Sequence, residues 1–122
     1  MQDLVGIVRN ESEMRSALEQ LQVLRQRAAR VGVGGHREYN PGWHAALDLH
    51  NLLTVSEAVT RCALERKESR GGHFRDDYPE KDKAYSTFNL IVRKGGDGRM
   101  EVTRASIPEM PIELKQIIEE MK

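Results

Sequence analysis

A chain of 122 residues holds one domain at most, with room for a modest core but not for a complete cofactor-dependent enzyme. Lysine plus arginine and aspartate plus glutamate both number 19, so no net field draws the chain to nucleic acid or to an anionic membrane, and any electrostatic role is local. A single cysteine, Cys62, excludes an intrachain disulfide and fits a reducing compartment, and its apolar helical surroundings predict a buried thiol. No segment reaches the ~20 apolar residues of a bilayer crossing, and the first residues lack the basic-then-apolar pattern of a signal peptide.

At the N-terminus, Leu4, Val5, Ile7 and Val8 form an apolar stripe at helical spacing, with no capping residue before it. This predicts a first helix whose chain continues upstream of Met1. A second helix follows: Asn10 or Ser12 can cap it, Glu11 and Glu13 suit its positive end, and Met14, Ala17, Leu18, Leu21, Leu24, Ala28 and Val31 recur at spacings of three and four. Gly32, Gly34 and Gly35 end it. Pro41 fits the first turn of a third helix with Asn40 as its cap. Between Ala45 and Leu64 the fully charged residues are Asp48, Glu57 and Arg61, while Leu47, Leu49, Leu52, Leu53, Val55, Ala58, Val59 and Ala63 spread over more than one face. A helix apolar on two sides is packed on two sides, so the simplest arrangement is a three-helix bundle with this helix in the middle.

Past Glu65 the chain enters a polar elbow, Arg66 to Pro79, that gathers charged groups around Gly71 and Gly72. A helix ending at Glu68 or Ser69 would place Arg66, Lys67 and Arg70 at the negative end of its dipole, with Gly71 as a left-handed cap. Beyond Pro79, Phe88 to Arg93 and Met100 to Arg104 alternate on either side of Gly95-Gly96-Asp97-Gly98, the signal of a hairpin at about residues 87–106. Pro108 and Pro111 stop the second strand, and Ile112, Leu114, Ile117, Ile118 and Met121 predict a short terminal helix over about residues 111–121. The fold class is therefore mainly α, with a helical bundle over about residues 1–70, the elbow at 66–79, a hairpin and a terminal helix.

Several arrangements of residue types invite chemistry. Gly32-Val33-Gly34-Gly35 follows a helix where a nucleotide loop follows a strand, and the third glycine of such a loop would fall at Arg37. His36, His44 and His50 lack a carboxylate or thiolate at a metal-binding spacing. Ser69, His73 and Asp76 or Asp77 are the residue types of a hydrolytic triad, but proximity in sequence does not assemble one, and Ser69 is expected to cap or back-bond a helix end. Trp43 is expected to anchor the core at the start of the third helix. Arg66, Arg70 and Arg75 offer forked donors that Asp76 and Asp77 can orient, either as a self-satisfied turn or as a docking surface for another domain.

The elbow carries the most specific signal. Glu68-Ser69-Arg70-Gly71-Gly72-His73-Phe74-Arg75-Asp76-Asp77-Tyr78-Pro79, preceded by Ala63 to Lys67, resembles the R-x-E-S-R-G-x-H-x-R-x-D-x-P signature of succinate dehydrogenase and fumarate reductase flavoprotein subunits. Arg66, Glu68, Ser69, Arg70, Gly71, His73, Arg75, Asp77 and Pro79 match it, and Gly72 replaces the commonest alanine. The likeness covers residues 1–122 as that family's C-terminal domain, a spectrin-like three-helix bundle. It implies that the FAD-binding and capping domains, with flavin and dicarboxylate sites, lie outside this chain. The parent would interconvert succinate and fumarate through FAD and pass electrons to an iron–sulfur subunit and to quinone at a membrane anchor complex, peripheral on the cytoplasmic side. For this chain the resemblance implies no bound FAD, no metal, no catalytic residue and no direct membrane insertion, with the nine motif residues docking on the FAD-binding domain. An L-aspartate oxidase type of flavoprotein, a free-standing helical interaction module and a small hydrolase built on Ser69 and His73 are the competing readings.

Overall fold

A computed structural model describes residues 1–121. Its elements in chain order are β1 (Val8–Arg9), α1 (Glu11–Ala28), α2 (Pro41–Glu65), β2 (Phe74–Arg75), a 3₁₀ turn (Lys83–Ser86), β3 (Phe88–Lys94), β4 (Met100–Ser106) and α3 (Ile112–Glu120). Helix α1 begins where Asn10, in extended backbone, accepts from the Glu13 N–H at 2.9 Å. Helix α2 begins at Asn40, whose side chain accepts from Gly42 N–H and donates to Gly34 and His36 carbonyls, folding the glycine-rich loop back onto its own cap.

The two long helices pack antiparallel, because the start of one meets the end of the other. Met14 and Ala17 of α1 contact Ala63 of α2 together with Val5, and Leu21 and Ala28 farther along α1 contact Leu53. The predicted stripe is thus the buried one, except that Leu24 and Val31 remain exposed at its distal end.

The predicted first helix does not form. Residues 1–5 make a single turn closed by Val5 N–H to the Met1 carbonyl at 2.7 Å, and the chain then extends into β1, which runs parallel to β2 with Val8 opposite Phe74 and Arg9 opposite Arg75. Two features decide this. Asn10 caps α1 from an extended conformation, which stops any helix arriving from upstream, and β-branched Ile7 and Val8 suit a strand once β2 offers it a partner. Gly6 is required at the bend, since a Cβ there would lie 2.8 Å from the Gln2 carbonyl oxygen.

The arrangement with α2 sandwiched between two helices is corrected accordingly. Among the described residues α2 packs on α1 and more lightly on the β3–β4 hairpin, while Leu52 and Val55 remain 63% and 61% exposed. The terminal helix α3 has no buried residue. Three helices and an antiparallel pair of strands are present; the third bundle position is not filled by residues 1–9 or by α3. Trp43 is also partly exposed, edge-on to His44, and Cys62 is only half-buried, because both lie off the α1-facing side of α2.

Strands β3 and β4 form the expected hairpin, in register from Phe88–Ser106 to Lys94–Met100, turned at Gly98 with φ +80°. Its root is fixed to the end of α2: the Tyr85 hydroxyl donates to the Glu65 carbonyl at 3.0 Å, and Arg104 pairs with Glu65 at 2.6 Å while stacking over Phe88. Among the described residues, no helix is long and apolar enough to cross a membrane.

Candidate functional site

The elbow is built on the carboxyl end of α2. The helix stops at Glu65, earlier than Glu68 or Ser69, because Arg66 turns to extended backbone and its N–H returns to the Cys62 carbonyl. Gly71 does adopt a left-handed conformation, φ +59°, but as part of the tight Arg70–His73 turn rather than as the helix cap. The exposed carbonyls of the last turn are met by side chains from farther along the chain. Arg75 Nη1 donates to Ala63 at 3.0 Å, to Leu64 at 3.3 Å and to Arg66 at 3.4 Å. A guanidinium at this place satisfies orphan acceptors and sits at the negative end of the helix dipole.

The rest of the Arg75 fork closes on Asp77, Nε to Oδ1 and Nη2 to Oδ2, both at 2.6 Å. Arg75 is 0% exposed, so this is a bidentate pair with one member wholly buried. The same carboxylate accepts from the Glu11 N–H at 3.0 Å, at the positive end of α1. Arg75 and Asp77 therefore bridge two helix ends of opposite polarity, one charge on each. The pairing, Arg75 first, pulls the Asp77 carboxyl down to about 2.

Glu68 is the second hub, also 0% exposed. Arg70 grips it through Nε and Nη2, both at 2.9 Å, Arg66 adds a third donor, and the Asp82 N–H a fourth at 3.0 Å. These donors, chiefly Arg70, outweigh burial and hold its carboxyl at about 2. Each lone pair so occupied removes the penalty of a buried charge, and among the described residues no buried side-chain polar atom lacks a partner.

His73 links the elbow to the N-terminal strand. Its Nδ1 lies 2.8 Å from Arg9 Nη1 and its Nε2 3.1 Å from the Arg66 carbonyl. The only consistent assignment is a neutral ring that accepts at Nδ1 and donates at Nε2. Burial, with Arg9, Arg75 and Arg66 close by, lowers its pKa. Ser69 lies beyond the helix and does not cap it. Its hydroxyl donates to the Tyr78 carbonyl at 2.9 Å and accepts from the Arg75 N–H at 2.8 Å, which closes the loop of residues 69–78. Pro79 is exposed at the exit, just before the Glu80 carbonyl accepts from Ser69 N–H.

These placements separate the readings of the sequence. Ser69 and His73 each bond other partners, so the triad does not assemble. Among the described residues no three His, Cys, Asp or Glu side chains gather as a metal cluster would. The glycine run at 32–35 is a loop after α1, outside any strand–turn–helix unit. Of the motif, Arg66, Glu68, Ser69, Arg70, His73, Arg75 and Asp77 are brought into one network, with Gly71 as its turn. Arg9, Glu65, Asp82 and Tyr85 belong to the same network although none is a position of the motif; Arg9 in particular reaches His73, 64 positions away, only because β1 pairs with β2. On the outer rim of the network stand apolar side chains, Ile7 at 71% exposure with Val8 and Phe74 beside it.

Comparison with known proteins matches residues 1–119 to the family described as fumarate reductase flavoprotein C-term. A fumarate reductase flavoprotein subunit of Mycobacterium tuberculosis is 33% identical over 103 residues, 84% of this chain and 18% of the relative. A succinate dehydrogenase flavoprotein subunit of Coxiella burnetii is 41% identical over 97 residues, 79% of this chain and 16% of the relative. L-aspartate oxidases match a shorter stretch, as in Vibrio cholerae, 37% identical over 66% of this chain and 14% of the relative. Among solved structures, Mycobacterium smegmatis Sdh1 in complex with UQ1 superposes with a TM-score of 0.89 at 45% identity, covering 98% of this chain and 20% of that one. The chain thus spans about a fifth or less of the proteins it matches, and it belongs to the fumarate reductase and succinate dehydrogenase flavoprotein family, as the C-terminal domain.

Proposed function

We propose that this chain is the structural and docking domain of a flavoprotein that interconverts succinate and fumarate through FAD held by other domains. The observation that carries the reading is the division of its surface. The charged groups of the motif are consumed in joining two helix ends, a strand and a loop, whereas sizeable apolar side chains on α2 and around Phe74 face outward. A network that satisfies its own donors and acceptors builds rigidity, and exposed apolar faces await a partner surface. The elbow residues Arg66, Glu68, Ser69, Arg70, Gly71, His73, Arg75, Asp77 and Pro79 serve docking by shaping the rim that carries Ile7, Val8 and Phe74. The half-exposed Arg70 is the motif arginine best placed to reach the FAD-binding domain directly.

In this reading the spectrin-like bundle is completed by a helix from the remainder of the family's longer chain. An open groove of about 440 Å³ between α1 and α2, where Leu24, Ala28, Val31, Leu49 and Leu53 are flanked by Arg27 and Arg30, offers it an apolar floor. The parent passes electrons to an iron–sulfur subunit and to quinone at a membrane anchor complex on the cytoplasmic side, while this domain holds no flavin. The longer stretch of this chain matched by succinate dehydrogenase and fumarate reductase relatives than by L-aspartate oxidases supports the succinate and fumarate reading.

The test uses the full-length flavoprotein with Phe74→Glu and Arg70→Ala. Loss of thermal stability, of flavin retention and of succinate-dependent dye reduction is expected, most for Phe74→Glu. Full stability, assembly and activity in both variants would overturn the docking role. Dye reduction by L-aspartate but not succinate would move the parent to the oxidase branch, and flavin bound to residues 1–122 alone would refute the division of labour.

A further inference from the structure

Away from the elbow, the tip of the β3–β4 hairpin faces the flank of the α1–α2 pair across a half-open cleft of about 1070 Å³. That volume lies at the upper end of the ~300–1,000 Å³ of ordinary small-molecule sites. Arg25 and Arg61 line one wall and Arg93, Lys94 and Arg99 the other, against the single carboxylate of Glu57. In a chain with equal numbers of positive and negative side chains, this excess is a local property of the cleft.

The lone carboxylate organises the helical wall. Glu57 accepts from Arg25 Nη2 and from Arg61 Nε, both at 2.7 Å, and its side chain is only 18% exposed. Two arginines are held in place by one charge, and Arg61 engages only through Nε, which leaves the end of its fork for another acceptor. On the hairpin wall, Arg93 and Arg99 meet Glu101 and Asp97 only at 3.7 and 3.6 Å, in well-exposed pairs that hold them weakly. Val55 on the helical wall and Val92 and Met100 on the hairpin wall supply the apolar lining. Cations and apolar groups on both walls suit an extended occupant that carries carboxylates and apolar side chains together. A compact anion would leave the apolar side chains wet.

We propose that this cleft binds an acidic polypeptide segment that carries interspersed apolar residues. The experiment measures anisotropy of a fluorescein-labelled peptide of alternating glutamate and leucine on the full-length protein at low ionic strength. Replacing Arg93, Lys94 and Arg99 together by glutamate should weaken binding about ten-fold, and added salt should weaken it in the unmodified protein. The milder replacement of the same three by glutamine should weaken it less, which guards against a misfolded hairpin. The same charge change at Arg37, Lys81 and Lys83 should leave affinity within about two-fold, since those positions lie outside the cleft. The proposal is overturned by equal loss in that control, by equal binding of a peptide with glutamine for glutamate, or by pyrophosphate displacing the peptide as effectively as unlabelled peptide does.

Discussion

Replacing Arg75 by methionine keeps most of the side-chain volume and removes the charge, so packing changes little and the electrostatics change completely. Breaking a buried ion pair by removing one partner costs about 3–5 kcal/mol. The abandoned Asp77 side chain is 30% exposed and regains some water, which places this part near the lower end, about 3 kcal/mol. The Ala63 carbonyl loses its buried donor at 3.0 Å, adding about 1 kcal/mol. A total of about 4 kcal/mol corresponds to a fall in melting temperature of about 12–20 °C for a chain of this length. Urea unfolding followed by circular dichroism measures the first quantity and a thermal scan the second. Arg75→Lys should lose about half as much, because it keeps the charge at the helix end but not the fork. Arg75→Met combined with Asp77→Asn should cost at least about 1 kcal/mol less than the sum of the single changes. A loss below about 1 kcal/mol for Arg75→Met, or strict additivity with Asp77→Asn, would refute the bridge between the helix ends.

Stability should fall with acid in two steps. His73 has a lowered pKa, so the unfolded chain takes up its proton first, and stability is lost as pH falls below about 6.5. Glu68 and Asp77, held at about 2, contribute stability that is complete above their unfolded values and lost as pH falls through about 4 toward 2. Urea midpoints measured from pH 8 to pH 2 check both, and His73→Gln should flatten only the upper step. Leu53→Ala should cost about 2–3 kcal/mol by urea unfolding, low in the usual range because the groove beside Leu49 and Leu24 already borders the site. Gly71→Ala should cost about 1 kcal/mol from its positive φ alone, since nothing lies within 4 Å of the added methyl, and a hydrogen-exchange map should confine the effect to residues near the turn.

The motif was legible as a family mark but its mechanics were not. Caps at Asn10 and Asn40, the Leu21–Leu53 core and the hairpin follow from local rules, because each depends on residues a few positions apart or on a regular period. The stripe at Leu4 to Val8 misled because four apolar residues fit a helix and a strand equally, and only the distant β2 segment chooses between them. In the elbow, local reading placed Arg66 and Arg70 at the helix end, whereas Arg75 occupies it and both of the others turn to Glu68.

By itself the sequence determined two amphipathic helices with their starts, a hairpin with its turn, and membership in a family through the spacing from Arg66 to Pro79. Tertiary structure alone decided that β1 replaces a first helix, that Leu52 and Val55 of α2 stay exposed among the described residues, and which arginine serves which carboxylate. The reason is one of range. Capping and periodicity act within a turn or two of chain, while a buried charge is stabilised only by whatever acceptors folding brings within about 3 Å, and here those come from as far apart as Glu11 and Asp77.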